Sequence, residues 1–327
     1  MQSVLTFLLF VPFLALVAAA NLAEQRSWAR YVTFGSLVAI NLGLLGLAGL
    51  TLLNAAVVWW NPELLPAQSR GIHWLTVSAI CAGTALLACA PLLSPVRRGL
   101  SRVLPIDATS TVHATALAFA VYELGLGLGQ MALLGDMTML VEAGLSLTIW
   151  DVLLSGLPLL LLALLGVGWL VRRSGRQVLE RLGLRLPTWR HVLLAVGITA
   201  LLLAMDYGLN LAWQAVDAAG YAQFEQMTDQ LYGGLITVGG AVVLGLSAGI
   251  SEEMLFRGAI QPRLGILLAA ILFALGHTQY GLTVATLEVF VIGLVLGLVR
   301  KRTNLTTCIL IHAGFNATGV LLGLLKP

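Results

Sequence analysis

The sequence predicts an all-α fold, a polytopic transmembrane helical bundle. Three observations carry that reading. Of 327 residues, 59% are hydrophobic and only 10% are charged, where a soluble domain carries roughly a quarter charged residues. Mean hydropathy is +0.94, and no soluble fold of this size has interior enough for so much apolar side chain. Finally, the apolar residues fall into runs near the roughly 20 residues that cross a bilayer, and the basic residues gather in alternate loops.

Ten spans are expected, at about 3–21, 34–60, 73–95, 112–134, 148–171, 191–214, 232–250, 260–279, 282–299 and 305–325. The first ends in small residues, as a signal peptide does. It lacks a positively charged leading region, so a membrane span is the expected reading. Arg26 and Arg30 follow it. Arg97, Arg98 and Arg102 follow the third span, six arginines between Arg172 and Arg190 follow the fifth, and Arg300, Lys301 and Arg302 follow the ninth. Acidic residues follow the fourth span (Asp136, Glu142) and the sixth (Asp217, Glu225, Asp229). Positive charge marks the cytoplasmic side. Ten spans with both termini outside place every basic cluster inside. Gly-rich spans point to close helix packing. Short loops suggest a prokaryotic plasma membrane. The basic segment 172–190 reads first as an orienting cytoplasmic loop; it is also the one candidate divide between N-terminal helices at 1–190 and C-terminal helices at 191–327.

The net charge of +3 is small and offers nothing to a nucleic acid. The expected surroundings are a lipid bilayer and a peptide or protein substrate. Cys81, Cys89 and Cys308 have neither metal-ligand nor disulfide spacing and read as small apolar side chains.

Against this background the segment GISEEMLFRGAI, residues 249–260, stands out. It carries Glu252, Glu253 and Arg257 between two uncharged stretches. Burying one charge near a membrane centre costs about 2.5–3.5 kcal/mol on insertion scales. Glu253 and Arg257 are four residues apart and share a helix face, so they can pair. Glu252 lies about 100° around the helix and is left for another partner. A cytoplasmic turn, its charges in water, is the plain alternative. Two histidines extend the pattern. His277 follows Phe273 by one turn, and Asn316 follows His312 by one turn on the same face. Such a set suits hydrolysis. A carboxylate in a water-poor site can serve as a general base, a histidine can orient water, and a second histidine with an asparagine amide can meet an oxyanion.

Those residues resemble the CPBP family of intramembrane proteases, which includes the CAAX prenyl endopeptidases and bacterial Abi proteins. The family shows EExxxR, FxxxH and HxxxN in order on separate helices. Here they read Glu252 to Arg257, Phe273 to His277 and His312 to Asn316, with a family-like FRG at Phe256 to Gly258. The resemblance covers about residues 230–325. It implies a glutamic endopeptidase with no cofactor, on an eight-helix family core carrying extra N-terminal helices. Glu252 would activate water and His277 would assist it. His312 and Asn316 would stabilise the oxyanion. Glu253 and Arg257 would form a supporting pair, and Phe273 would pack beside the site. The substrate would be a peptide or protein, prenylated or otherwise membrane-anchored among the options, reached from near the cytoplasmic side.

Other readings compete. Two histidines and a glutamate can hold zinc, although no HExxH motif is present. Glu123, Asp151 and Asp206, all intramembrane acids, would serve a transporter or a non-catalytic immunity or binding protein; their plainer role is hydrogen bonding between helices or at a span end. A scaffold using only the Glu253–Arg257 pair would leave His277, His312 and Asn316 without a shared role.

Overall fold

The computed structural model describes residues 2–66, 69–134, 144 and 146–324. Among these the chain is helical, without a β-strand and with one isolated bridge from Trp169 to Arg173. The N-terminal helices are α1 (Gln2–Leu22), α2 (Ser27–Trp60), α3 (Trp74–Cys89), α4 (Ser94–Leu100), α5 (Thr111–Leu134), α6 (Ile149–Gly166) and α7 (Gly175–Leu182). After them come α8 (Trp189–Val216), α9 (Ala218–Tyr232), α10 (Val238–Glu253), α11 (Gln261–Leu275), α12 (Val284–Arg302) and α13 (Leu305–Gly323). Several helices start where a side chain can satisfy free backbone N–H groups. Thr148 and Asp151 form a capping box on α6, as do Ser174 and Gln177 on α7. Thr237 caps α10, and Asn304 caps α13 by accepting the Thr307 N–H at 3.0 Å.

Among the described residues seven helices are long and apolar enough to cross a membrane, against ten expected spans. The difference has three sources. The apolar stretch described in α1 is short, Phe7–Leu22. The expected seventh and eighth spans form one helical run, Val238–Leu275. The expected ninth forms α12, but Glu288 and the Arg300–Arg302 end dilute its apolar character. The acidic pair Asp136 and Glu142, and the end of the tenth expected span at residue 325, lie outside the described residues.

The charged segment corrects the sequence reading, which left 251–259 between two spans. These residues are helical throughout. Met254–Ile260 forms a π-helical turn joining α10 to α11. Glu253 is 0% exposed and Arg257 1%, so neither faces water. A π-turn inserts an extra residue into the helical ladder and often marks a functional position. The run bends further on, where Gly265 takes φ 79°.

Close helix approach positions the site. A Cβ on Gly245 would lie 2.7 Å from the Ala313 carbonyl, and one on Gly249 would lie 3.0 Å from Ala313. Only glycine lets α10 and α13 lie this near. Across the other side, Gly293 of α12 faces Ala270 of α11, where an added Cβ would lie at 3.2 Å. Helix α6 packs against both α1 and α10, and α8 against α13. Phe256, Phe273, Ile292, Leu296 and Ile311 form the core beneath the site. Leu42, Leu50, Leu193, Val196 and Leu201 are exposed on outer faces, as expected of surfaces that meet lipid.

Candidate active site

A cavity of about 1730 Å³ opens between the helices, and Glu252, Phe273, His277, His312 and Asn316 all line it. The two adjacent glutamates have different surroundings. Glu253 is fully buried. Its Oε1 accepts from Arg257 Nη1 at 2.9 Å and from His312 Nδ1 at 2.9 Å. Arg257 Nη2 also donates to the Gly293 carbonyl at 3.3 Å. The Arg257 guanidinium sits 4.2 Å from the Phe273 ring centroid, a cation–π contact strengthened by exclusion of water. Glu253 is thus neutralised by a partner one turn away and tied to a second helix.

Glu252 points elsewhere. Its side chain keeps 18% exposure, and Oε2 lies 3.9 Å from His277 Nε2. That Oε2 has no hydrogen-bond partner among the described residues. The separation is too long for a direct hydrogen bond and short enough for one water to bridge. His277 follows the end of α11, where its Nδ1 lies 2.9 Å from the Phe273 carbonyl. A carbonyl only accepts, so Nδ1 donates to it, and Nε2 is the ring nitrogen that faces Glu252.

Phe273 is the hub of the arrangement. Its ring lies 5.3 Å from Phe256, 5.0 Å from His277 and 5.7 Å from His312. It therefore orients both histidines and the arginine, and it is 2% exposed. Asn316 lies on the cavity wall one turn beyond His312.

The other acids named from sequence are placed as follows. Asp151 caps α6, accepting from the Thr148 N–H at 2.9 Å and its hydroxyl at 2.6 Å. Glu123 faces the cavity. Asp206 accepts from the Asn210 amide at 3.0 Å and lies beside the Glu288 carboxyl group of α12. Glu288 went unremarked in the sequence, although a lone acid in an apolar run is a visible signal. Tyr280 was also missed. It stacks on His277 at 6.1 Å and 19°, and nothing in the local pattern announces that contact. Among the described residues, no three His, Cys, Asp or Glu side chains converge as metal ligands.

Comparison with known families gives a match to part of the chain. Residues 234–318 match the family described as type II CAAX prenyl endopeptidase Rce1-like, about a quarter of the chain. That segment runs from α10 through most of α13 and holds all seven residues of the three motifs. No curated protein and no solved structure matches the chain.

Proposed function

We propose that this chain is a membrane-embedded endopeptidase of the CAAX-protease superfamily, hydrolysing a peptide bond with water activated by Glu252. The carrying observation is the split between the two glutamates. Glu253 Oε1 is held by Arg257 and His312, while Glu252 faces His277 across a water-sized gap in the cavity. The match of residues 234–318 supports the same reading.

In this mechanism water sits between Glu252 and His277. Its oxygen attacks the scissile carbonyl carbon as Glu252 takes its proton. The carbonyl π electrons move onto oxygen, forming the oxyanion. Collapse of that intermediate breaks the C–N bond, and the proton held at Glu252 passes to the leaving amine. The geometry refines the oxyanion assignment. His312 Nδ1–H is committed to the Glu253 carboxylate, so neutral His312 has only a lone pair at Nε2. It can donate there only as an imidazolium. The Asn316 amide is a donor in either case and carries the larger part of the task.

Bilayer lipids surround the chain, and the substrate is a peptide or protein segment that reaches a largely apolar cavity. Entry from the cytoplasmic side follows from the basic loops. The zinc alternative calls for two histidines and a glutamate on one ion, and among the described residues no three such side chains converge. The test is cleavage of a mixed peptide pool, with farnesylated CAAX peptides included, by purified protein and read by mass spectrometry. Glu252→Gln is expected to lower the rate by about 10²–10⁴-fold with the melting temperature unchanged, and a strong chelator to leave the wild-type rate intact. A folded Glu252→Gln protein cleaving at the wild-type rate would sink the proposal.

A further inference from the structure

Four arginines from three chain segments line the same cavity. Arg172 and Arg173 follow α6, Arg181 is in α7 and Arg263 is in α11. All four are half-buried. The turn after α6 is shaped to present two neighbours together. Gly168 has φ 99° and Leu170 φ 64°, the latter a backbone conformation that a leucine adopts at a cost. The Gly168 carbonyl accepts the N–H groups of both Arg172 and Arg173 at 2.9 Å. Asn21 of α1 is wholly buried. It accepts from Arg172 Nε at 2.9 Å and donates to the Leu165 carbonyl at 2.8 Å. Arg173 Nη1 donates to the Val167 carbonyl.

No carboxylate among the described residues forms an ion pair with any of the four. Glu24 lies near enough to act on Arg172, but it accepts from the Ser110 hydroxyl at 2.8 Å and the Val112 N–H at 3.1 Å. Arg181 Nη1 reaches only the Gly258 carbonyl, at 3.5 Å. Arg263 Nη1 donates to the Pro105 carbonyl at 3.1 Å, and its buried Nε has no hydrogen-bond partner among the described residues. Burial first, then the like charges of Arg263, Arg173 and Arg300, hold the Arg181 guanidinium below its ordinary value. The cluster is therefore self-repelling and short of acceptors, and an anion would relieve both conditions. The cavity wall is otherwise largely apolar, with Phe13, Val17, Ala116, Phe119, Leu159 and Leu162 among its residues. A small soluble anion would leave that wall unfilled. Arg172, Arg173 and Arg181 also belong to the basic segment 172–190 expected at the cytoplasmic face, where basic pockets between helices take anionic headgroups.

We propose that the Arg172–Arg173–Arg181–Arg263 cluster binds the phosphate headgroup of an anionic phospholipid whose acyl chains lie along the apolar cavity wall. This site does not depend on the hydrolytic reading.

The test is native mass spectrometry of the full chain exchanged into mixed phosphatidylglycerol and phosphatidylcholine micelles. The wild type is expected to retain phosphatidylglycerol over phosphatidylcholine by at least about tenfold, and the Arg181→Gln/Arg263→Gln protein to lose that preference. Arg102→Gln/Arg176→Gln removes the same charge from exposed positions and is expected to keep it. Should the double variant not fold, Arg263→Gln against Arg263→Lys makes the same comparison. The lysine protein is expected to retain more lipid than the glutamine protein. A wild type without preference overturns the proposal, as does equal retention by the paired variants. Release of lipid by millimolar inorganic phosphate overturns it in favour of a soluble-anion site. Displacement by a palmitoylated peptide with a free C-terminus, but not by its amide, overturns it in favour of a peptide carboxylate.

Discussion

Glu253 and Arg257 show what a buried charge requires. With Glu253 0% and Arg257 1% exposed, neither can be solvated by water, and each depends on the other. Arg257→Met is expected to leave the Glu253 charge without its cation and to destabilise the protein by about 3–5 kcal/mol. Chemical denaturation in detergent, compared with the Glu253→Gln/Arg257→Met double variant, is the measurement. The double variant should recover part of the loss, because no lone charge is then buried. Spacing of four residues made this pair legible in the sequence. The His312 Nδ1 contact to the same carboxylate was not legible, because it joins residues 59 apart. The sequence reading paired Glu253 with Arg257 alone, and the tertiary structure adds His312 Nδ1 at 2.9 Å.

At the scale of elements, the approach of α10 to α13 sets the distance between Glu253 and His312. Gly249 sits one turn before Glu253, where an added Cβ would lie 3.0 Å from Ala313, tighter than an ordinary contact. Gly249→Val is therefore expected to push the helices apart, to lower the melting temperature and to abolish cleavage. Gly43, where an added Cβ meets nothing within 4 Å, should accept alanine with cleavage retained. Melting curves and the peptide assay together check both. The Gly-rich pattern announced close packing without naming which helices meet. Helix starts at Thr148, Ser174 and Asn304 follow local capping chemistry, which nearby sequence carries. The π-turn at Met254–Ile260 runs against the expected break. Charges usually end a span, but here they are paired internally and the helix continues.

For the whole molecule, alternation of basic and acidic loops predicts which side each loop faces. In a background with the three cysteines replaced by alanine, a cysteine at Arg176 is expected to react with an impermeant maleimide only from the cytoplasmic side. A cysteine at Glu63 should react only from the opposite side. Labelling of intact cells against inverted vesicles reads this directly, and labelling of both from one side would refute the arrangement. The helices that carry the motifs stand in contact with the N-terminal ones through α6, which packs on both α1 and α10. The cavity draws residues from both halves of the chain.

Composition and apolar run length, which are sums over the chain, were enough to determine a helical membrane bundle. Spacings of three and four residues were enough to group Glu252, Glu253 and Arg257, Phe273 with His277, and His312 with Asn316, because a helix converts such spacings into shared faces. Tertiary structure alone decided that His312 joins Arg257 at the Glu253 carboxylate, that Phe273 touches both histidines, that Tyr280 stacks on His277 and that four arginines meet at one cavity. Those outcomes depend on how closely separate helices approach, and that distance is set by packing between residues far apart in the chain.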